Sequence, residues 1–201
     1  MAYLTEQASV FRYYKPTLQP KPTTLLSSRR VYDGDRISLR LDRVQVGNGP
    51  ERTREVVEHK GSVVVVPLTV RGTVLLVRQW RHAIGKVLLE APAGTRDIEG
   101  ETPEQTALRE LQEETGHVAG QLRRLPGFWI GPGWCNEYMY AFVATQLRPQ
   151  KLPQDDDEDV HVAEVPISAI AGLIETGEIQ DSKSIASLMC AIHLNTSDKS
   201  T

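Results

Sequence analysis

Only two cysteines, Cys135 and Cys190, occur in 201 residues. That is too few for a disulfide framework, and they lack metal-site spacing. A reducing, cytoplasmic setting is the expectation. Long apolar runs are also missing. The longest near-continuous stretch, Ser62–Val70, suits one buried strand and falls far short of the roughly 20 residues a membrane helix needs. No charged-then-apolar leader opens the chain, so neither secretion nor a membrane partner is expected. Internal repeats are absent. Charge of one sign is not in excess: 23 Lys and Arg stand against 26 Asp and Glu, a net −3. That balance argues against a general nucleic-acid binder. What is present is ordinary: 40% apolar and 24% charged residues, which excludes disorder along most of the chain. The length fits one domain, or one domain with an arm.

Residues 1–30 hold Pro16, Pro20, Pro22, a Thr/Ser cluster and the aromatics Phe11, Tyr13 and Tyr14. Proline favours extended backbone, so an N-terminal arm is expected, either loose or docked through its aromatics. Residues 31–60 read as strands: Ile37–Val46 alternates with period two, Gly47-Asn48-Gly49-Pro50 turns, and Arg52–His59 returns. Ser62–Pro67 and Thr73–Arg78 are β-branched runs separated by Arg71-Gly72, a hairpin signal that opens a main domain over 61–195. Further strands are predicted at Gln121–Leu125, Glu137–Thr145 and Val160–Val165, and helices at Pro166–Glu175 and Asp181–Leu194. Residues 196–201 are polar and predicted to be a disordered tail. Strands mixed with few helices, without strict βαβ alternation, predict an α+β fold.

The clearest helix lies within 102–116. Thr102 is an N-cap, Pro103 takes the first position, Gln105 completes a capping box and Gly116 stops the helix. It carries Arg109-Glu110-Leu111-Gln112-Glu113-Glu114. Glu110 and Glu114 are i,i+4 neighbours on one face, and such like-charge pairs cost about 0.2–0.5 kcal/mol each. A helix that accepts this faces open water or holds a cation. Oxygen-only ligands select hard cations such as Mg2+, Mn2+ or Ca2+.

Around this helix the chain reads Gly94-x6-Glu101-x7-Arg109-Glu110-Leu111-x-Glu113-Glu114-x-Gly116. The pattern resembles the box of the Nudix hydrolases, G-x5-E-x7-R-E-U-x-E-E-x-G-U, where U is aliphatic. Two positions depart from it. The loop after Gly94 is one residue longer, within Asp97-Ile98-Glu99-Gly100, and His117 holds the last aliphatic position. The resemblance implies the Nudix fold, an α/β/α sandwich with a mixed sheet and a loop–helix–loop. It also implies that Glu110, Glu113 and Glu114 collect divalent metal, Mg2+ with Mn2+ as the alternative. The Ala93 carbonyl would be a further ligand, and Arg109 and Glu101 would hold the glutamates in place. Such sites catalyse displacement at phosphorus in a nucleoside diphosphate linked to another group.

The resemblance covers roughly Arg30 to Leu194 and narrows to the ADP-ribose pyrophosphatase branch. Glu90-Ala-Pro-Ala-Gly94 is similar to that branch's E-(L/I)-P-A-G lead-in, and Val77-Arg-Gln-Trp-Arg81 to its V-R-Q-x-R strand. Gly131-Pro-Gly-Trp-Cys-Asn-Glu137 is similar to its S-P-G-x-x-x-E loop, with Pro132 placed 16 residues beyond Gly116. Asp181-Ser-Lys-Ser-Ile-Ala186 resembles the start of its last helix. Substrate contacts are then expected from Arg81, from Arg78, and from Pro132 and Glu137. Trp129, Trp134 or the N-terminal aromatics could stack on a base, or could belong to a core or interface. The acidic run Asp155–Asp159 resembles the branch's metal-closing loop. Matched on Glu158-Asp159-Val160, it makes Glu158 a ligand and Asp156 the base. Asp is a methylene shorter than the Glu more usual there, so Asp157, Glu158 and Glu113 remain alternatives for the base. In this branch the N-terminal strands exchange between subunits, which implies a homodimer formed through 31–60.

The expected activity is Mg2+-dependent cleavage of ADP-ribose into AMP and ribose 5-phosphate. One rival is hydrolysis of another nucleoside diphosphate sugar, such as GDP-mannose. The other is a non-catalytic nucleotide-sugar sensor, which should have lost box glutamates. The net charge conceals this chemistry: Glu90–Gly116 balances at −6 and Asp155–Asp159 at −5, so the rest of the chain sums to +8.

Overall fold

The computed structural model describes residues 21–150 and 159–197. Thr23–Asp33 (β1), Ile37–Val46 (β2) and Arg52–His59 (β3) form an antiparallel sheet in the order β1-β2-β3. Strand pairing therefore begins at Thr23, inside the stretch expected to be an arm. The prolines that suggest an arm end at Pro22, and β1 gains its partner from β2, with Thr23 opposite Val46 and Asp33 opposite Ser38. β3 joins this sheet to the main body. The Val57 N–H donates to the Trp134 carbonyl at 2.8 Å, and the Asn136 N–H to the Val57 carbonyl at 3.1 Å.

The main body holds two sheets. Ser62–Pro67 (β4), Ala93–Thr95 (β7), His117–Arg124 (β8), Phe128–Trp129 (β9) and Tyr138–Pro149 (β10) form a mixed sheet in the order β7-β4-β10-β8, with β9 on β10. Thr73–Arg81 (β5), Lys86–Glu90 (β6) and Val160–Pro166 (β11) form an antiparallel sheet in the order β11-β5-β6. The helices are Pro103–Thr115 (α1), Ile170–Glu175 (α2) and Ser182–Ser197 (α3). β4 is buried on both faces, which is why it reads as an unbroken apolar run. Val63 and Val65 pack with Ala107 and Leu111 of α1 and with Phe142. Val64 and Val66 pack with Leu76, Leu89, Ile170 and Leu188 on the other side. Each such valine contributes about 1.5 kcal/mol or more by leaving water.

Several bounds move from expectation. β5 runs on to Arg81, and β8 starts at His117 because Gly116, at φ 68°, reverses the chain without a loop. A 3-10 turn over Ile167–Ala169 precedes α2, so that helix starts at Ile170. α3 continues to Ser197, into the predicted tail, since neither Gly nor Pro follows Leu194 there to stop it. Among the described residues no helix is long and apolar enough to cross a membrane.

Candidate active site

Local sequence builds α1 as the pattern requires. The Gln105 N–H donates to Thr102 Oγ1 at 3.2 Å, and the Thr102 N–H donates to Gln105 Oε1 at 2.8 Å. The Gly116 N–H closes the far end on the Gln112 carbonyl at 2.9 Å. Glu110 and Glu114 lie on the buried side of the helix with Ala107 and Leu111, only 9% and 4% exposed. A solvated charged face is thereby excluded. Buried carboxylates must be held by donors or cations, since an isolated buried charge is expensive.

Both kinds of partner are present. Arg109 Nη1 donates to Glu110 Oε1 and to Glu113 Oε2, each at 2.9 Å, and Nε donates to Glu101 Oε1 at 3.2 Å. Thr106 Oγ1 holds the other Glu101 oxygen at 3.0 Å. Partial burial alone would ease a proton off Arg109. The Glu101 hydrogen bond and the charges of Glu110 and Glu113 outweigh it, so its pKa is raised and the guanidinium stays charged. Strand β7 supplies the remaining grip. The Ala93 N–H donates to Glu114 Oε2 at 3.0 Å. At Gly94 a Cβ would fall directly on the Glu110 carboxylate, so only glycine allows this approach. β7 is itself anchored on β4, with Ala93 opposite Val64 and Gly94 opposite Val63.

Ala93 and Gly94 also line a cavity of about 980 Å3 together with Arg81, Glu90, Glu137 and Lys183. Its size is at the upper end for small-molecule sites. Glu90, 2% exposed, is gripped from two sides. Arg81 Nε and Nη2 donate to Glu90 Oε2 at 2.8 and 2.5 Å, and Lys183 Nζ lies 3.2 Å from Oε1. Burial works against the Arg81 charge, but Glu90 overcomes it and raises the pKa. Ser62 Oγ donates to Glu137 Oε1 at 2.7 Å, and His59 Nδ1 accepts the Gly61 N–H at 3.0 Å.

Arg81, Glu137 and Ala93 are thus brought together, and the box residues Glu101, Arg109, Glu110, Glu113 and Glu114 assemble behind them. Arg78 stands on the exposed side of β5 and Pro132 is exposed in its loop; neither lines this cavity. Asp156, Asp157 and Glu158 lie outside the described residues. Their neighbour Asp159 lines a smaller recess with Glu113, Glu114 and His161. Trp129 and Trp134 are 55% and 59% exposed, so neither is a core residue. Sequence reading missed His59, Ser62 and Lys183 as cavity residues. A capping signal was available for the last helix, where Asp181 Oδ1 accepts the Ser184 N–H at 3.0 Å. That signal could not show that Ser184 Oγ accepts the Ala91 N–H at 2.8 Å, tying the helix to the segment before β7.

Among the described residues, no three His, Cys, Asp or Glu side chains are already arranged as a metal cage. The chemistry nevertheless fits a hard divalent cation. Every donor is an oxygen, two of the carboxylates are buried, and the Glu110 carboxylate occupies the space that Gly94 leaves open.

The buried box helix and its glycine-backed carboxylates define the class: the chain belongs to the Nudix family, whose NUDIX domain model matches residues 58–188. The chain is similar to the ADP-ribose pyrophosphatase of Bacillus subtilis (strain 168), 36% identical over 160 residues, 79% of this chain and 86% of that protein. It is similar to the ADP-ribose pyrophosphatase of Mycobacterium tuberculosis (strain ATCC 25618 / H37Rv), 37% identical over 170 residues, 84% and 82% of the two chains. A solved structure, an ADP compounds hydrolase, shares the fold with a TM-score of 0.80 at 22% identity, over 90% of this chain and 98% of that one. The α+β sandwich expected from the sequence is the fold observed.

Proposed function

We propose that this protein is a Mg2+-dependent hydrolase that adds water across the diphosphate of ADP-ribose, giving AMP and ribose 5-phosphate. One observation carries the reading. Ala93 and Gly94 belong at once to the cavity and to the carboxylate cluster, so a diphosphate in the cavity would reach the acids through them. The two relatives of that name, 36% and 37% identical over most of the chain, support the substrate. Glu110, Glu114, the Ala93 carbonyl and Glu158 would hold Mg2+, with Mn2+ as a substitute. A bound divalent cation neutralises phosphate oxygens and acidifies the attacking water. Arg109 keeps Glu110 and Glu113 oriented. Arg81, braced by Glu90, supplies positive charge toward the phosphates, and Glu137 offers an acceptor for sugar hydroxyls. Glu113, 29% exposed at its side chain, and Asp156 are the groups assigned to receive the proton of the water.

The test is a panel of ADP-ribose, GDP-mannose, NADH, diadenosine polyphosphates and nucleoside triphosphates with Mg2+, read as phosphatase-releasable phosphate. ADP-ribose is expected to rank first in kcat/KM. A higher rank for GDP-mannose replaces the substrate, and binding without turnover of any compound leaves a sensor.

We also infer a homodimer formed through the β1–β3 sheet, and a cytoplasmic setting supported by the free thiols Cys135 and Cys190. All eleven residues of β1 are exposed, Leu25, Leu26, Val31 and Tyr32 among them. Apolar side chains clustered on an edge strand mark an interaction surface. Light scattering is expected to give twice the chain mass for the natural protein and one chain mass for a Leu25→Glu, Tyr32→Glu variant. A monomeric natural protein would refute the dimer.

A further inference from the structure

We propose that Arg96 is a positioning residue for the metal-binding carboxylates, acting through Glu101 and Arg109, with the ring of Tyr140 as its seat. The inference rests on the proposed metal-dependent reading of the same site. The loop between Gly94 and Glu101 is one residue longer than the family pattern. Extra loop length adds freedom at the place where Glu101 must be held still, because Glu101 is an acceptor for Arg109.

Arg96 restrains that loop at both ends. Its backbone N–H donates to the Gly61 carbonyl at 3.1 Å, just past β7. Its Nη2 reaches across the loop to the Glu101 carbonyl at 3.3 Å. The guanidinium carbon lies 5.1 Å from the centroid of Tyr140, within cation–π range. The ring is braced in turn. Tyr138 meets Tyr140 edge-on at 4.9 Å and 75°, and Trp129 meets Tyr138 at 4.9 Å and 73°. The Arg96 Nε is buried without a hydrogen-bond partner. A side chain free to turn outward would hydrate that donor, so the fold accepts an unmade bond to keep this guanidinium over the ring.

A contiguous path results. Tyr140 seats Arg96, Arg96 holds the Glu101 backbone, Glu101 holds Arg109, and Arg109 holds Glu110 and Glu113. Groups behind metal ligands govern affinity by fixing ligand orientation. Arg124 provides an internal control. It lies 5.3 Å from the same Tyr140 ring but belongs to β8, outside the loop.

The experiment titrates Mn2+ into the purified full chain by electron paramagnetic resonance, without substrate. Half-saturating Mg2+ for turnover is a second readout. Arg96→Ala and Tyr140→Leu are each expected to weaken Mn2+ binding by about ten-fold, the lower end for groups behind a ligand shell. The kcat at saturating metal should be retained. Arg96→Lys should fall between, because it keeps charge but loses the planar fork. Tyr140→Phe, which keeps the ring, and Arg124→Ala should bind as the natural protein does. The double variant Arg96→Ala, Tyr140→Leu should be no weaker than Arg96→Ala alone, as members of one path are not additive. Unchanged Mn2+ binding in Arg96→Ala, or an equal loss in Arg124→Ala, overturns the relay while leaving the metal site in place. A natural protein that binds no Mn2+ overturns both.

Discussion

Glu114→Gln is expected to lower kcat for ADP-ribose by about 10^3-fold with the fold intact, the loss typical when one preorganised charge-stabilising group is removed. The substitution separates two roles of this side chain. Gln retains an oxygen to accept the Ala93 N–H, so the bond that ties α1 to β7 can persist. What it removes is negative charge at a position only 4% exposed, where a cation has few substitutes. Circular dichroism and the thermal midpoint should match the natural protein while turnover collapses. Full activity in this variant would refute the assignment of Glu114 to the metal.

A second large effect is expected from the smallest possible change. Gly94→Ala should cost about 10^2-fold or more in kcat, the scale for misplacing a reacting group by an ångström. The three atoms nearest the added methyl all belong to the Glu110 carboxylate. That group is the tip of a flexible side chain, so it moves aside and the backbone does not. Gly94 is also absent from the glycines with positive φ, so alanine meets no conformational penalty there. Stability should therefore change little while activity falls. Gly133→Ala, where an added Cβ meets nothing within 4 Å, should be close to neutral in both measurements. Equal losses at the two glycines would mean that the carboxylate position is not what matters.

The parts of the site legible from sequence are the local ones. Capping residues, the i,i+4 pair and the terminal glycine all act within a few positions, so the sequence marks both ends of α1. β4 was equally plain, since a β-branched run buried on both faces has no alternation to disguise. β1 escaped because its Ser, Thr and Arg residues carry no apolar period. Its existence depends on β2, with Ser28 Oγ donating to Asp42 Oδ1 at 2.6 Å across fourteen positions. The cavity escaped for the same reason: Glu90 meets Lys183, and Ser62 meets Glu137, only after the chain has folded back.

The sequence by itself determined the family, the helix that bears the glutamates, and the oxygen-only chemistry of the site. These follow from residue types at fixed short spacing, which backbone geometry converts directly into a shared face. Only the tertiary structure decided whether that face met open water or lay buried against the body. Spacing is identical in the two cases. Burial differs, and burial is set by β7, where Ala93 and Gly94 close over Glu114 and Glu110. Tertiary contacts likewise decided which cation braces which acid, because charge pairing depends on distance in space and a sequence records only order.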